Sequence, residues 1–320
     1  MKKSERIFVA GHQGMVGSAI VRKLHSHEYT NLVVRSLYEL DLREQQAVRD
    51  FFNLERPDYV VVAAAKVGGI HANHAYPADF IYDNLLIECN LIQNAFRIGV
   101  KKLLFLGSSC IYPKNAPQPL KEDYLLSGYL EPTNEGYALA KISGLKMCEY
   151  FSRQYGCNFI SAMPCNLYGP NDNYDPENSH VLPAFIRKCH QAKVREEKQL
   201  VVWGSGTPLR EFLYVDDLAD ACLYLLERIN YADLLATGSA FINVGSGREI
   251  SIKDLLGLTA KVVGYSGSIV YDGTKPDGTP RKLLDSSRLR DLGWSPKISL
   301  EEGIRSSSAD FIKRFSEGLI

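Results

Sequence analysis

The chain has 320 residues, 45% of them apolar, which allows a sizeable core and exceeds one typical domain of roughly 100–200 residues. Lysine plus arginine equals aspartate plus glutamate at 37 each, so the charge balance makes no case for nucleic acid or an anionic membrane surface. No apolar run approaches the roughly 18 residues of a membrane helix, and the seven scattered cysteines include no C-x-x-C pair. These features predict a soluble, cytoplasmic protein with no structural metal.

Ile7–Ala10 reads as a buried strand, followed by a glycine-rich turn and a helix to about Leu24. The turn, Gly11-His12-Gln13-Gly14-Met15-Val16-Gly17, has the spacing that lets backbone approach a pyrophosphate at a helix N-terminus. Leu32–Val34 is a second strand. At its end an acid would bind a ribose 2′-hydroxyl, but here stands Arg35-Ser36-Leu37. Arg35 reads either as a 2′-phosphate ligand, which favours NADP, or as a solvated surface charge. Asp41 and Leu42 would then border the adenine. Tyr59–Ala65 is a Val-rich third strand, Phe80–Ile98 a helix, Leu103–Leu106 a fourth strand, Tyr137–Tyr155 a long helix and Phe159–Met163 a fifth strand. The alternation predicts an α/β doubly wound parallel sheet of Rossmann type.

Regularity weakens after this point. Asn166–Asn178 reads as a loop, about 182–192 as a helix, Val201–Trp203 as a short strand, Asp216–Arg228 as a helix and Phe241–Val244 as a sheet strand. From Ser251 a helix, a strand near Ile269–Tyr271, a loop at Asp272–Pro280 and a final helix follow. The expected division is a dinucleotide-binding domain over 1–165 and 212–245, and a smaller α/β substrate domain over 166–211 and 246–320.

Tyr137 and Lys141 stand four residues apart on one helix face, and the cation should lower the phenol's pKa. Such a phenol can hand a proton to a carbonyl oxygen during hydride transfer. Ser108, directly after the fourth strand, adds a hydroxyl that can polarise that carbonyl. By position alone Cys110 reads equally as a small buried hydrophobe and as a thiol facing the cleft, and His180 equally as a helix-start residue and as an imidazole there. Trp203, Arg210 and the segment Lys275–Lys282 read as anion or sugar contacts.

With Ala63-Ala-Ala-Lys-Val-Gly-Gly-Ile70, Leu106-Gly-Ser-Ser-Cys-Ile-Tyr-Pro113, Glu131-Pro-Thr-Asn-Glu135, Asn166-Leu-Tyr-Gly169, Asn178-Ser-His-Val181, Val202-Trp-Gly-Ser-Gly206 and Lys275-Pro-Asp-Gly-Thr-Pro-Arg-Lys282, the chain resembles the GDP-L-fucose synthase family. These are extended short-chain reductases that epimerise a GDP-4-keto-6-deoxy sugar at C3 and C5 and reduce it at C4 with NADPH. The resemblance implies that Ser108, Tyr137 and Lys141 carry the reduction, with Cys110 and His180 as base and acid of the epimerisation. It implies a cofactor site from the Gly11–Gly17 loop, Arg35, Asp41, Leu42, Leu106, Gly107, Lys141, Pro164, Asn166, Leu167 and His180. It places Ser108, Val181, Lys188, Trp203, Arg210 and Asp277 along the GDP-sugar, and implies a homodimer packed through helices. Gln13, Leu37, Gly136, Cys165 and Lys188 depart from the family's usual residues. A reductase of a related GDP-4-keto sugar (3-deoxy or heptose) with a single epimerisation, and a non-catalytic dinucleotide sensor, are the alternatives.

Overall fold

The computed structural model describes residues 1–176, 178–275 and 277–320, without the side chains of residues 70 and 71. The chain opens with β1 (Ile7–Ala10), α1 (Met15–Ser26), β2 (Leu32–Val33), α2 (Gln45–Glu55), β3 (Tyr59–Val62), α3 (Ile70–Ala75), α4 (Pro77–Ile98) and β4 (Lys102–Leu106). It continues through α5 (Glu135–Tyr155), β5 (Phe159–Pro164), β6 (Asn166–Tyr168), α6 (Val181–Val194), β7 (Gln199–Trp203) and β8 (Leu209–Tyr214). Then come α7 (Val215–Arg228), α8 (Tyr231–Ala236), β9 (Ile242–Val244), β10 (Glu249–Ser251), α9 (Ile252–Val263), β11 (Ser268–Asp272), β12 (Arg281–Lys282), α10 (Ser287–Asp291) and α11 (Leu300–Ser316).

Every residue of β1, β3, β4 and β5 is buried, as expected of parallel strands covered on both faces. They form a six-stranded parallel sheet in the order β2-β1-β3-β4-β5-β9. This is the doubly wound sheet the alternation predicted. The winding reverses between β1 and β3, so a crevice opens beyond the carboxyl ends of those strands. β3 stops at Val62, three residues before its predicted end. The next segment leaves the sheet because buried Asn84 on α4 takes it over, accepting from the Lys66 N–H at 2.9 Å and donating to the Lys66 carbonyl at 3.0 Å.

The second half adds two smaller sheets. β8 pairs with β10 antiparallel and with β6 and β12 in parallel, and β7 pairs with β11 in parallel. β6 lies inside the segment expected to be a loop. It forms through long-range pairing, Asn166 opposite Phe212, that no local pattern reveals. Two apolar cores result. The larger lies on both faces of the six-stranded sheet; the smaller gathers Tyr168, Phe185, Leu255, Ile304 and Phe311. Leu284, Leu289 and Trp294, late in the chain, pack into the larger core. Among the described residues no helix is long and apolar enough to cross a membrane.

Candidate active site

The glycine loop has the shape a dinucleotide phosphate needs. Gly11 has φ +85°, and a Cβ there would lie 2.8 Å from the backbone of Ala64. A Cβ on Gly17 would fall 2.1 Å from the Gly11 carbonyl, so this position too admits only glycine. Gly14 is exposed and is the N-cap of α1, with no side-chain cap and no acid in the first turn. The helix therefore presents its first N–H groups unpartnered, together with the positive end of its dipole. His12, Gln13, Met15 and Val16 complete the loop. The residues present fit a dinucleotide pyrophosphate.

The adenine end is laced with charge. Arg43 grips Asp41 through Nε and Nη2 (3.0 and 2.7 Å) and reaches Asp83 at 3.3 Å. The hydrogen bonds from Arg43 hold the Asp41 carboxyl below its ordinary range. Asn90 on α4 donates to the carbonyls of Leu42 and Arg43, which fixes the loop. Arg35 is neither the solvated charge nor the free phosphate ligand expected. Its guanidinium pairs with Glu55 at 2.5 Å, donates to the Val34 carbonyl at 2.8 Å and lies over Phe51. A 2′-phosphate must compete with Glu55 for it. The Ser36 N–H and hydroxyl both donate to Glu39 at 2.7 Å. Leu37 is exposed.

Beyond β4 lies the reactive cluster. Leu106 ends the strand, and Gly107 hydrogen-bonds to Ala162 at 2.9 Å. Ser108 donates through its hydroxyl to the Cys110 sulfur at 3.3 Å. The amide of Asn134 donates to the same sulfur at 3.2 Å, and the Lys282 ammonium stands 4.0 Å away. Three donors thus converge on a half-buried thiol. Asn134 and Lys282 sit in motifs legible in the sequence, but the contact joins residues 24 and 172 positions from Cys110, which spacing cannot show.

Tyr137 enters on the first turn of α5, with its ring 6.4 Å from Phe80 in an edge contact. Its phenol is not lowered, as the sequence suggested, but raised. Burial is the main cause, Cys110 and Glu88 add to it, and only the Ser108 hydroxyl opposes. The reason is that Lys141 spends its charge elsewhere. Its Nζ pairs with Glu88 at 3.0 Å, donates to the Leu106 carbonyl at 3.1 Å and lies 5.8 Å from the Tyr137 ring centre. Gly136, unusual in size, is explained by packing: a Cβ there would sit 2.9 Å from the Pro77 carbonyl.

His180 caps α6 through its backbone alone, and its side chain is exposed. Its surroundings and then the charge of Lys282 lower its pKa. Val181 begins α6, and Lys188 is exposed two turns on. Asn166 donates to the Glu211 carbonyl at 2.7 Å, next to Pro164, Cys165 and Leu167. Arg210 on β8 faces Lys282 on β12 in register. Trp203 is 71% exposed, with the Lys275 ammonium 5.4 Å from its ring. Asp277 accepts from the N–H and hydroxyl of Ser205 at 2.9 and 2.6 Å. Pro276 in the same motif lies outside the described residues. Among the described residues no group of three or more His, Cys, Asp or Glu could hold a metal ion.

The model of the NAD dependent epimerase/dehydratase family matches residues 7–236. The chain belongs to this family. The chain is 58% identical over 97% of its length to GDP-L-fucose synthase 1 of Arabidopsis thaliana, covering 94% of that protein. It is 55% identical to GDP-L-fucose synthase of Escherichia coli K12, with 97% of each chain aligned. A solved GDP-mannoheptose C4 reductase from Campylobacter jejuni with NADP bound superposes with a TM-score of 0.90 at 41% identity, covering 98% of this chain and 99% of that one.

Proposed function

We propose that this protein converts GDP-4-keto-6-deoxy-D-mannose to GDP-L-fucose by epimerisation at C3 and C5 followed by NADPH-dependent reduction at C4. The observation that carries the reading is the meeting of a donor-ringed thiol, Cys110, with Ser108 and Tyr137 at the end of β4. Full-length similarity to two GDP-L-fucose synthases supports the choice of sugar.

Ser108 and Tyr137 hold the C4 carbonyl oxygen and stabilise the enolate that forms when Cys110 removes the acidic proton beside it. His180 returns a proton from the opposite face, and the exchange occurs at C3 and at C5. Bound NADPH supplies the hydride to C4. Tyr137 then gives its proton to the C4 oxygen, a task for which a firmly protonated phenol is suited. The loop Gly11–Gly17 and the α1 N-terminus would seat the pyrophosphate, with Leu106, Gly107, Lys141, Pro164, Asn166 and Leu167 along the nicotinamide half. Val181, Lys188, Trp203, Arg210 and Asp277 would lie along the GDP-sugar. The larger core would carry the cofactor and the smaller the sugar nucleotide. The α4–α5 face, which exposes Tyr82, Leu139 and Tyr150, would pair two copies.

Purified protein incubated with GDP-4-keto-6-deoxy-D-mannose and NADPH should oxidise the cofactor, and NMR should identify GDP-L-fucose. In deuterated solvent, label should enter at C3 and C5, and Cys110→Ser should abolish that entry. Tyr137→Phe should lower reduction by about 10²–10⁴-fold and slow exchange less, since Ser108 still holds the enolate oxygen. A product inverted at one carbon only would move the substrate to a related GDP-4-keto sugar. An inert protein that still binds NADPH would favour a dinucleotide sensor.

A further inference from the structure

The Lys141 ammonium lies in the interior, 2% exposed, and its counter-charge is Glu88, 1% exposed, at 3.0 Å. Glu88 reaches it from the middle of α4, across the pair that α4 makes with α5. A Cβ on Gly144, one turn beyond Lys141, would fall 2.6 Å from Oε2 of Glu88 and 2.5 Å from the Phe105 ring. A glycine inside a helix is less favourable than alanine, and here it makes room for the carboxylate. Besides Lys141, the Gly144 N–H also favours the charged carboxylate, and Lys141 has the Leu106 carbonyl. These neutral partners do not replace a counter-charge, so removing one ion leaves the other buried without its opposite.

Resting on the reductase reading above, we propose that Glu88 is the positioning residue of the reduction, holding the Lys141 ammonium in place beneath Tyr137. The groups facing the pair are few. From α5 come Tyr137 and Cys148, from α4 Cys89, and from β4 the Leu106 carbonyl and the Phe105 ring; Ser108 and Cys110 act on Tyr137 from the loop. Lys141 is the only cation among them. Glu88 pulls the ammonium toward α4 and so sets its distance from the phenol. A negative charge beside an acid also delays the acid's ionisation. Burial and the Coulomb field of Glu88 both act on Tyr137 in that direction.

The test is the pH dependence of reduction in the full enzyme, read as kcat in wild type, Glu88→Gln and Glu88→Asp. A tyrosine relieved of a neighbouring anion ionises earlier. This moves the alkaline limb of the Glu88→Gln profile to lower pH, by about one unit, which is a tenfold change in the equilibrium. Glu88→Asp should restore most of the wild-type profile. KM for NADPH should change less than kcat. A second measurement covers poor folding of the single variant. Lys141→Met should unfold more readily than Lys141→Met with Glu88→Gln, because the first strands a buried carboxylate. An active wild type whose Glu88→Gln profile is unmoved overturns the proposal. So does a double variant no more stable than Lys141→Met. A wild type inert toward every keto sugar with NADPH fails the reductase reading itself, and the proposal falls with it.

Discussion

Cys110 owes its surroundings to residues from three separate stretches of chain: Ser108 beside it, Asn134 before α5, and Lys282 on β12. The ammonium is the one charge among these three, and a cation beside a sulfur favours its attack on an electrophile. Replacing Lys282 with methionine should therefore slow alkylation of Cys110 by iodoacetamide severalfold at neutral pH, with the site read by mass spectrometry. Alkylation of exposed Cys89 should not change. An unchanged Cys110 rate would remove Lys282 from that role. At this scale the residue types that the family resemblance implies were legible, because each sits in a run of sequence with its own shape. The partners were not. Nothing in the spacing of Glu88 and Lys141, or of Cys110 and Lys282, announces contact. The expectation of a lowered Tyr137 pKa failed because it counted the ammonium four residues away and left out burial first, then Cys110 and the carboxylate across the helix pair.

Among the elements, α5 bears most on the site, since it carries Tyr137 and Lys141 and must lie close to α4. Two glycines permit that approach, Gly136 against the Pro77 carbonyl and Gly144 against Phe105 and Glu88. Gly144→Ala improves intrinsic helix propensity by up to about 1 kcal/mol, but forces a methyl onto an aromatic ring inside the core, typically a cost of 1–3 kcal/mol. The net effect should be destabilising, visible as a lower midpoint in urea. A stabilised variant would show that the ring yields. Long apolar strands and amphipathic helices were readable from period and composition. α2 was not, because its 11 residues bury only Val48, Phe51 and Phe52, the aromatic pair meeting Phe8 at 4.7 and 5.9 Å. β8 was hidden by an arginine and a glutamate within it. Glu211 is fully buried there, accepting from the N–H groups of Gly247 and Leu284 at 2.7 and 2.9 Å.

For the whole molecule the two cores meet along β8, which gives Leu213 to the larger and Phe212 and Tyr214 to the smaller. Beside the smaller core Asp172 is buried. It accepts from the Asn173 N–H at 2.7 Å, while Oδ2 has no partner. Burial pushes its pKa up to about 7. Between its ordinary value and about 7 the folded protein keeps a proton that the unfolded chain has released. Stability from this group is thus full in acid and falls as pH rises through that window. Asp172→Asn, which cannot ionise, should raise the unfolding temperature at pH 8 and leave it nearly unchanged at pH 4. An equal shift at both pH values would show that the carboxyl is already ionised in the native state. The general architecture was readable from strand and helix alternation. The meeting of the cores was not, because the 283–285 segment crosses back to hydrogen-bond with Leu120 at 2.7 and 2.8 Å, a long-range return with no local signature.

That return has a consequence for biosynthesis. Residues through β5 supply five of the six strands of the parallel sheet, and α7 and β9 complete the core upon it. The cation beside the Cys110 sulfur belongs to Lys282, which emerges only after nearly nine-tenths of the chain has been made. The growing chain thus carries the glycine loop, Ser108 and Tyr137 long before the thiol gains that neighbour.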